Sequence, residues 1–298
     1  MGLWRPRTLG TARAAVLVLV ASALLTACFS TTVTFDSSSD AAPLAVVPLT
    51  PDGTDRYAVT RTGSSVSITA DAANTGGNLR LALWPTDAPA TTDAMACTTL
   101  TSEVGNAADQ EGLVLRLAPT ADGLGTRAIT VTKNIEFGLW MIFNVHVWDT
   151  TQASPYTFLT HFDLSSVVAT ILFWGNVNPV PYPWHLCARV SGSLLQFMVW
   201  TGTNPQPQWT DGSRVNQVTL PPGWVYPGVA GWYVGHLHAG DTVTYDGLQA
   251  ASLKGAVDPV TTLVPSTSTS VPDTTTSVPD TTSTVPDTTS TVPATTAP

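Results

Sequence analysis

The chain has 298 residues, of which 12 are Lys or Arg and 21 are Asp or Glu, so its formal net charge is −9. This acidic balance argues against binding to nucleic acid or to anionic lipid through a basic face, because such binding needs clustered Lys and Arg side chains. We therefore expect no nucleic-acid partner.

The first 27 residues have the organisation of a secretory signal peptide. Three arginines within residues 1–13 precede twelve apolar or small residues, Ala14–Leu25, a run too short to span a bilayer. The run ends in Leu-Thr-Ala-Cys, residues 25–28, which resembles the lipobox of bacterial lipoproteins. The resemblance implies cleavage before Cys28, acylation of its thiol, and an extracytoplasmic protein anchored to the membrane by lipid. Ordinary cleavage nearby, with Cys28 as a free thiol, is the alternative.

Cleavage before Cys28 makes the mature protein more acidic. It removes three arginines and no acidic residue, so the formal net charge falls from −9 to −12 over the remaining 271 residues. A short linker, residues 28–43, then leads into the folded domain.

Residues 44–257 carry the pattern of one all-β domain. Period-two alternation of apolar and polar residues recurs in short runs separated by turn residues, and no stretch has the sustained 3.6-residue period of a long helix. The runs cover residues 65–70, 78–84, 112–119, 127–134, 139–148, 156–164, 167–174, 185–190, 194–200, 231–238 and 242–248. So many short strands in one secreted domain predict a two-sheet antiparallel sandwich of jelly-roll type.

Two cysteines, Cys97 and Cys187, remain once Cys28 is assigned to the lipid. The signal peptide places them where disulfides persist, so a bridge between them is the simplest interpretation. Two buried free thiols are the alternative. A metal site is not indicated, because neither cysteine has a partner at ligand spacing.

The last part of the domain resembles the concanavalin A-like, laminin-G-like jelly rolls of bacterial surface proteins. In those proteins a strand with an arginine turns at a glycine into a strand ending in Trp. A loop then carries Pro and a second Trp, and a Pro-Gly-x-x-Gly-aromatic strand precedes a last strand with an aromatic-Asp pair. The matching positions are Arg189, Gly192, Trp200, Pro207, Trp209, Pro227, Gly228, Gly231, Trp232, Tyr245 and Asp246. The resemblance implies a concanavalin A-like sandwich, from a superfamily of lectins, glycan-binding modules and glycosidases.

The catalytic patterns of that superfamily do not occur in the sequence. Its glucanases place two carboxylates on one strand as Glu-x-Asp-x-x-Glu, whereas Glu103, Glu111 and Glu136 are isolated, and Asp109 beside Glu111 is as easily a solvated turn. Polysaccharide lyases use Gln-x-His with Tyr and Arg, and Asn-Val-His at 144–146 is only faintly similar. We therefore assign no catalytic residue, although whether the chain is an enzyme stays open.

Three predicted strands present aromatic rings beside hydrogen-bonding groups, and we expect their outer sides to form one concave surface partly covered by residues 204–226. In the run 139–148, alternation gives Leu139, Met141, Phe143, Val145 and Val147 to the core and Trp140, Ile142, Asn144, His146 and Trp148 to the outer side. In the run 194–200 it gives Leu195, Phe197 and Val199 to the core and Leu194, Gln196, Met198 and Trp200 to the outer side, while Trp232, Val234, His236 and His238 share a side of the third run.

The predicted ligand-binding residues come from these outer sides. They are Trp140, Asn144, His146, Trp148, Gln196, Trp200, Trp232, His236 and His238. Flat rings beside amide and imidazole groups suit a polar ligand with apolar patches, such as a sugar. Packing of the tryptophans alone is the alternative.

No cofactor is expected from the sequence. His236 and His238 could hold a metal together with His146 or His161, but no complete ligand set is visible. A calcium ion on loop carboxylates is implied by the family resemblance alone.

The far end of the chain, residues 258–298, has a different composition. From Val264 it consists of five copies of a seven-residue Val-Pro unit rich in Thr and Ser. Such a tract has too few apolar residues to bury a core, so we predict a disordered tail.

Together these observations predict a lipid-anchored surface protein whose sandwich binds carbohydrate, or acts in adhesion, without catalysis. The expected partner is a glycan or a component of the cell envelope. A structural or protein-binding envelope lipoprotein is the second hypothesis, and a divergent polysaccharide-degrading enzyme is the third.

Overall fold

The computed structural model of the protein describes residues 33–34, 42–51, 55–75, 77–105, 109–136, 140–171 and 177–253. The predicted signal peptide, the predicted lipidation at Cys28 and the predicted disordered tail lie outside these residues. In the part of the chain that is described, no helix has the length and apolar character needed to cross a bilayer.

The described residues form strands almost throughout. In chain order the elements are β1 (Val33–Thr34), β2 (Leu44–Thr50), β3 (Tyr57–Thr62), β4 (Ser65–Ala70), β5 (Arg80–Pro85), β6 (Ala94–Val104), β7 (Gln110–Pro119), β8 (Thr126–Glu136), β9 (Trp140–Asp149), β10 (Tyr156–Asp163), α1 (Ser165–Val168), β11 (Ala169–Ile171), β12 (Val177–Pro179), β13 (Trp184–Ser191), β14 (Leu194–Thr201), β15 (Asn216–Thr219), β16 (Val229–Gly235) and β17 (Thr242–Leu253).

The strands form two large antiparallel sheets. Sheet A has the order β15-β14-β13-β6-β17-β4-β3, with β1 paired to β17, and sheet B has the order β10-β9-β8-β7-β16-β5-β2. The chain passes repeatedly from one sheet to the other, as at β5 to β6, β6 to β7 and β16 to β17. The predicted two-sheet antiparallel jelly roll is therefore confirmed, and it is the architecture of the concanavalin A-like proteins that the closing motifs resemble.

The hydrophobic core lies between the two sheets. Phe143 of β9 in sheet B meets Phe197 of β14 in sheet A with ring centroids 4.9 Å apart. The side chains predicted to face inward from these two strands do so, namely Met141, Phe143, Val145, Val147, Leu195, Phe197 and Val199. Leu139, also assigned to the core, lies outside the described residues. Period-two alternation thus gave the correct inner face for both strands.

Strand β6, at the centre of sheet A, is not predicted by the sequence patterns. Its inward side chains are mostly small, with Ala94, Ala96 and Thr98 among them. Alanine is depleted in strands, so the period-two signal was weak. The small side chains leave room for Trp232 from the opposite sheet, whose Nε1 donates a hydrogen bond to Thr98 Oγ1 at 2.9 Å.

Other strands also differ from the prediction: β1, β3, β12 and β15 lie outside the predicted runs. The run 167–174 was predicted to be one strand, but it begins in the short helix α1 and continues only as β11, and residues 172–174 lie outside the described part. Strand β2 was not predicted because it contains Pro48, which has no N–H to donate to a ladder. Proline is tolerated there because β2 is the edge strand of sheet B.

The predicted disulfide is confirmed. Cys97 of β6 and Cys187 of β13 are directly opposite in the ladder and are bonded to each other. The bridge lies on the outer side of sheet A, in contact with the cluster that contains Met198, Trp200 and Val215.

Replacing both cysteines by alanine should lower the free energy of unfolding by about 2–4 kcal/mol. The bridge joins residues 90 positions apart, so its loss frees a long loop in the unfolded chain. Urea unfolding of the Cys97→Ala/Cys187→Ala variant, compared with the unreduced parent, measures the difference. Equal midpoints and equal slopes for the two proteins would show that the bridge contributes nothing to stability.

Candidate functional site

The structure does not bring the predicted ligand-binding residues onto one surface. Strand β9 belongs to sheet B and β14 to sheet A, so their outward side chains lie on opposite sides of the sandwich. The prediction of a single shared surface is wrong, because alternation gives the face of each strand but not the sheet to which the strand belongs. The side chain of Trp140 is not among those described.

Gln196 and Trp200 of β14 are covered by protein. Gln196 is fully buried, accepts a hydrogen bond from Arg189 Nε at 2.7 Å and donates one to Gln217 Oε1 at 3.1 Å. Trp200 stacks on the ring of His185 at 5.2 Å between centroids. The connection after β14 packs on this side, partly through Trp209, whose ring lies 4.3 Å from the Arg189 guanidinium. Packing explains the apolar outer side of β14.

Trp232 lies in the core and not on an outer face. Its side chain is completely buried, and it points inward together with Ala230 and Val234, whereas Tyr233 points outward. Both faces of β16 are aromatic, so alternation alone did not tell which one is buried. His236 and His238 follow the end of β16 and do not continue its alternation.

The outer side of sheet B carries aromatic side chains on β9 and β10, next to small and hydroxyl side chains on β8. The cross-strand rows are Ala128–Trp148–Tyr156, Thr130–His146–Phe158 and Thr132–Asn144–His161, and we call these nine side chains the aromatic surface. Three predicted residues, Asn144, His146 and Trp148, are thus brought together.

The rings of the aromatic surface differ in exposure. Trp148 is 1% exposed and donates its Nε1–H to Thr130 Oγ1 at 2.9 Å, so it forms the floor. Tyr156 is 37% and Phe158 50% exposed on the edge strand above it. Their ring centroids lie 5.3 Å and 5.7 Å from that of His146 in edge-to-face geometry. Tyr156 and Phe158, which the sequence did not single out, are therefore the rings that a ligand can reach.

Arg80 of β5 places a positive charge at this surface. Its guanidinium carbon lies 5.3 Å from the Tyr156 ring centroid and 5.8 Å from that of Trp148. Its Nη2 donates to His236 Nε2 at 2.7 Å, and His236 Nδ1 donates to the Gly77 carbonyl at 2.7 Å. These partners fix the neutral tautomer of the imidazole with the proton on Nδ1. The sequence predicts that His236 and Trp232 face a ligand together. In the structure His236 instead positions Arg80.

Polar groups of the aromatic surface have hydrogen-bonding capacity to spare. The buried atoms Asn144 Oδ1 and Thr132 Oγ1, neighbours across β8 and β9, have no hydrogen-bond partner among the described residues. Buried polar groups are normally paired, so these two oxygens have hydrogen-bonding capacity that the fold does not use. Burial, aided by the charge of Arg80, lowers the pKa of His146 to about 4. The imidazole is therefore neutral at pH 7 and offers one donor and one acceptor.

A second polar group lies where β6, β7, β8 and the β16–β17 connection meet. We call it the acidic cluster; its members are Glu103, Asp109, Glu111, Lys133, His238 and Asp241. Asp109 and Glu111 are both completely buried. The expectation of a solvated turn at these two residues is therefore wrong.

The inner half of the acidic cluster is charge-compensated. Lys133 Nζ pairs with Glu111 Oε2 at 2.9 Å and also with Glu103, which accepts a further hydrogen bond from the Tyr182 hydroxyl. Burial works to lower the pKa of Lys133, but the two carboxylates outweigh it and raise that pKa. Lys133 therefore remains a cation between two acidic groups.

The outer half of the acidic cluster consists of Asp109, His238 and Asp241. His238 Nδ1 lies 3.7 Å from Asp109 Oδ1 and 3.6 Å from Asp241 Oδ2, and the His238 side chain is 42% exposed. Burial, followed by the charges of Asp241 and Glu103, raises the pKa of Asp109 to about 8. The predicted grouping of His236 and His238 with His146 or His161 is not formed by His238, whose neighbours are these two carboxylates.

No protein-family model and no curated protein matches the sequence. Several solved structures are similar to this chain. They include a functionally unknown protein from Saccharomyces cerevisiae (TM-score 0.42, 13% identity, 66% of this chain and 93% of that one) and the exoplasmic/lumenal domain of VIP36 in its Ca²⁺/Man3GlcNAc-bound form (0.40, 13%, 69% and 85%). An alginate lyase from Pseudomonas aeruginosa is also similar (0.39, 12%, 65% and 85%). Likeness at these scores says nothing about ligand or reaction, so the function must rest on the side chains of this chain.

Proposed function

We propose that the protein is a surface-anchored lipoprotein whose sandwich binds carbohydrate, without catalysis, through the aromatic surface of sheet B. The observation that carries the proposal is the pair of exposed rings, Tyr156 and Phe158, above a neutral imidazole and beside the fixed charge of Arg80. Aromatic rings can cover the apolar faces of a sugar, while imidazole, amide and guanidinium groups bond its hydroxyls. The lipid anchor rests on the sequence around Cys28.

The composition of the aromatic surface supports binding without hydrolysis. A retaining glycosidase needs two carboxyl groups about 5 Å apart that face the substrate. None of the nine side chains of the aromatic surface carries a carboxyl group. The carboxylates of the acidic cluster are mostly buried, and Lys133 occupies the space between Glu103 and Glu111.

A glycan-array screen of the purified protein tests this proposal. We expect binding to one polysaccharide class, and we expect Tyr156→Ala and Phe158→Ala each to weaken it by roughly tenfold, which corresponds to about 1.4 kcal/mol. The matched control is Leu124→Ala, which truncates an apolar side chain that is 84% exposed in the β7–β8 hairpin. This control should bind like the parent.

Three results would count against the proposal. Release of reducing ends or unsaturated products would make the protein an enzyme. Retention of full affinity in the Tyr156→Ala/Phe158→Ala double variant would place the site elsewhere. A blank array, together with specific crosslinking of another protein at the exposed rings, would favour the protein-binding hypothesis.

Repeating the array with chelator tests the calcium ion that the family resemblance implies, since loss of binding would show that a metal takes part.

A further inference from the structure

We propose that Asp109, His238 and Asp241 form a binding site for a first-row divalent cation, Zn²⁺ or Mn²⁺. One ligand atom from each of the three residues lies within 4.8 Å of the other two. The imidazole Nδ1 lies 3.6 Å and 3.7 Å from the nearest carboxylate oxygens. Ligand atoms about 2.1 Å from a tetrahedral metal ion are about 3.4 Å apart. The three groups therefore already have nearly the spacing that a shared ion requires.

Asp109 supplies an independent indication of a missing partner. Its side chain is completely buried, and among the described residues no donor lies in hydrogen-bonding geometry to either of its carboxylate oxygens, which face a second carboxyl group, that of Asp241. A buried carboxylate without hydrogen bonds is costly unless it is paired or coordinates a metal. The Nδ1 atom of His238, which faces Asp109, also lacks a hydrogen-bond partner in the part of the chain that is described.

The charges of the acidic cluster also support a bound cation. Lys133 makes its ion pairs with Glu103 and Glu111, so the inner half already contains a cation. Among the described residues, the ion-pair partner of Asp109 is the His238 imidazole, which is charged only when protonated. A divalent cation would compensate the outer carboxylates and leave the imidazole neutral, the form that binds metals.

The backbone holds the proposed ligands in position. The His238 N–H donates to Asp241 Oδ2 at 2.9 Å, and the Asp241 N–H donates to the His238 carbonyl at 3.0 Å. This turn presents both side chains to Asp109. Gly105 passes so close that a Cβ atom there would lie 2.1 Å from Asp241 Oδ1, so only glycine leaves that carboxylate in place. The partly exposed His238 side chain provides a route to solvent.

The donor set determines the class of cation. One imidazole nitrogen with two carboxylate oxygens suits Zn²⁺ or Mn²⁺, whereas Ca²⁺ takes six to eight oxygen ligands. Three protein ligands would leave at least one position for water. The site is independent of the carbohydrate proposed for the aromatic surface, and either proposal can fail without the other.

Calorimetric titration of the EDTA-treated full chain with ZnCl₂, MnCl₂ and CaCl₂, each alone, tests the inference. We expect one Zn²⁺ or Mn²⁺ per chain, with affinity at least about tenfold lower in Asp109→Asn and His238→Ala. The control variant Asp122→Asn, which changes an exposed carboxylate in the β7–β8 hairpin, should bind like the parent. Circular dichroism of each variant checks that it is folded.

A second readout does not depend on affinity. Co²⁺ added to the metal-free chain should give a visible absorption spectrum that changes in His238→Ala if the imidazole is a ligand. Failure of the folded parent to bind any of these ions would overturn the inference. Binding that neither Asp109→Asn nor His238→Ala weakens would overturn it too, as would binding of Ca²⁺ alone with no effect of His238→Ala.

Discussion

Trp232→Ala should lower the free energy of unfolding by about 3–5 kcal/mol. The ring is completely buried between the sheets, with its centroid 6.2 Å from that of Tyr245 in sheet A. Truncation would leave a cavity, and it would also remove the donor to Thr98 Oγ1, which is itself buried. Urea unfolding followed by circular dichroism measures the loss.

The variant Trp232→Phe separates the two contributions. It keeps most of the buried ring but removes the hydrogen bond, so it should cost about 1–3 kcal/mol. The sequence suggested instead that Trp232 contacts a ligand. Unchanged stability of Trp232→Ala with loss of glycan binding would support that earlier interpretation and contradict the core position.

Lys133→Met should also lower the free energy of unfolding by about 3–5 kcal/mol. Methionine matches the length of the lysine stem but leaves Glu103 and Glu111 facing each other without the cation that lies between them. Removing one partner of a buried ion group is costly because the remaining charge stays out of water. Urea unfolding at pH 7 provides the measurement.

A triple variant gives the control for this effect. In Lys133→Met/Glu103→Gln/Glu111→Gln the buried charges are removed together, and most of the lost stability should return. A single variant as stable as the parent would mean that Lys133 does not compensate these carboxylates. A triple variant no more stable than the single one would mean that the stem of Lys133, and not its charge, stabilises the domain.

Much of the fold could be predicted from local sequence patterns. Period-two alternation identified most strands and gave the correct inner faces of β9 and β14, because each strand has one buried side. The disulfide followed from the number of cysteines and from the compartment that the sequence predicts. Strand β6 could not be found in this way. Its small inward residues leave space for Trp232, which is distant in sequence, so the reason for them is not visible locally.

The candidate site could be predicted only in part. Asn144, His146 and Trp148 share one strand, so alternation alone placed them together. Their partners Tyr156, Phe158 and Arg80 come from strands whose neighbours are set by long-range pairing, which no local pattern shows. The acidic cluster was missed for the same reason, because Asp109 and Asp241 meet only after the sheets have formed.

The two edges of sheet B have a consequence for association between molecules. The pairing of β2 with β5 shifts register between Pro48 and Thr50, and that of β10 with β9 shifts between Phe158 and Thr160. A proline or a bulge at an edge interrupts the row of donors and acceptors that a strand from another molecule would need. Sheet B therefore resists edge-to-edge aggregation, so the rings of β10 can stay exposed at high protein concentration without promoting polymerisation through this edge.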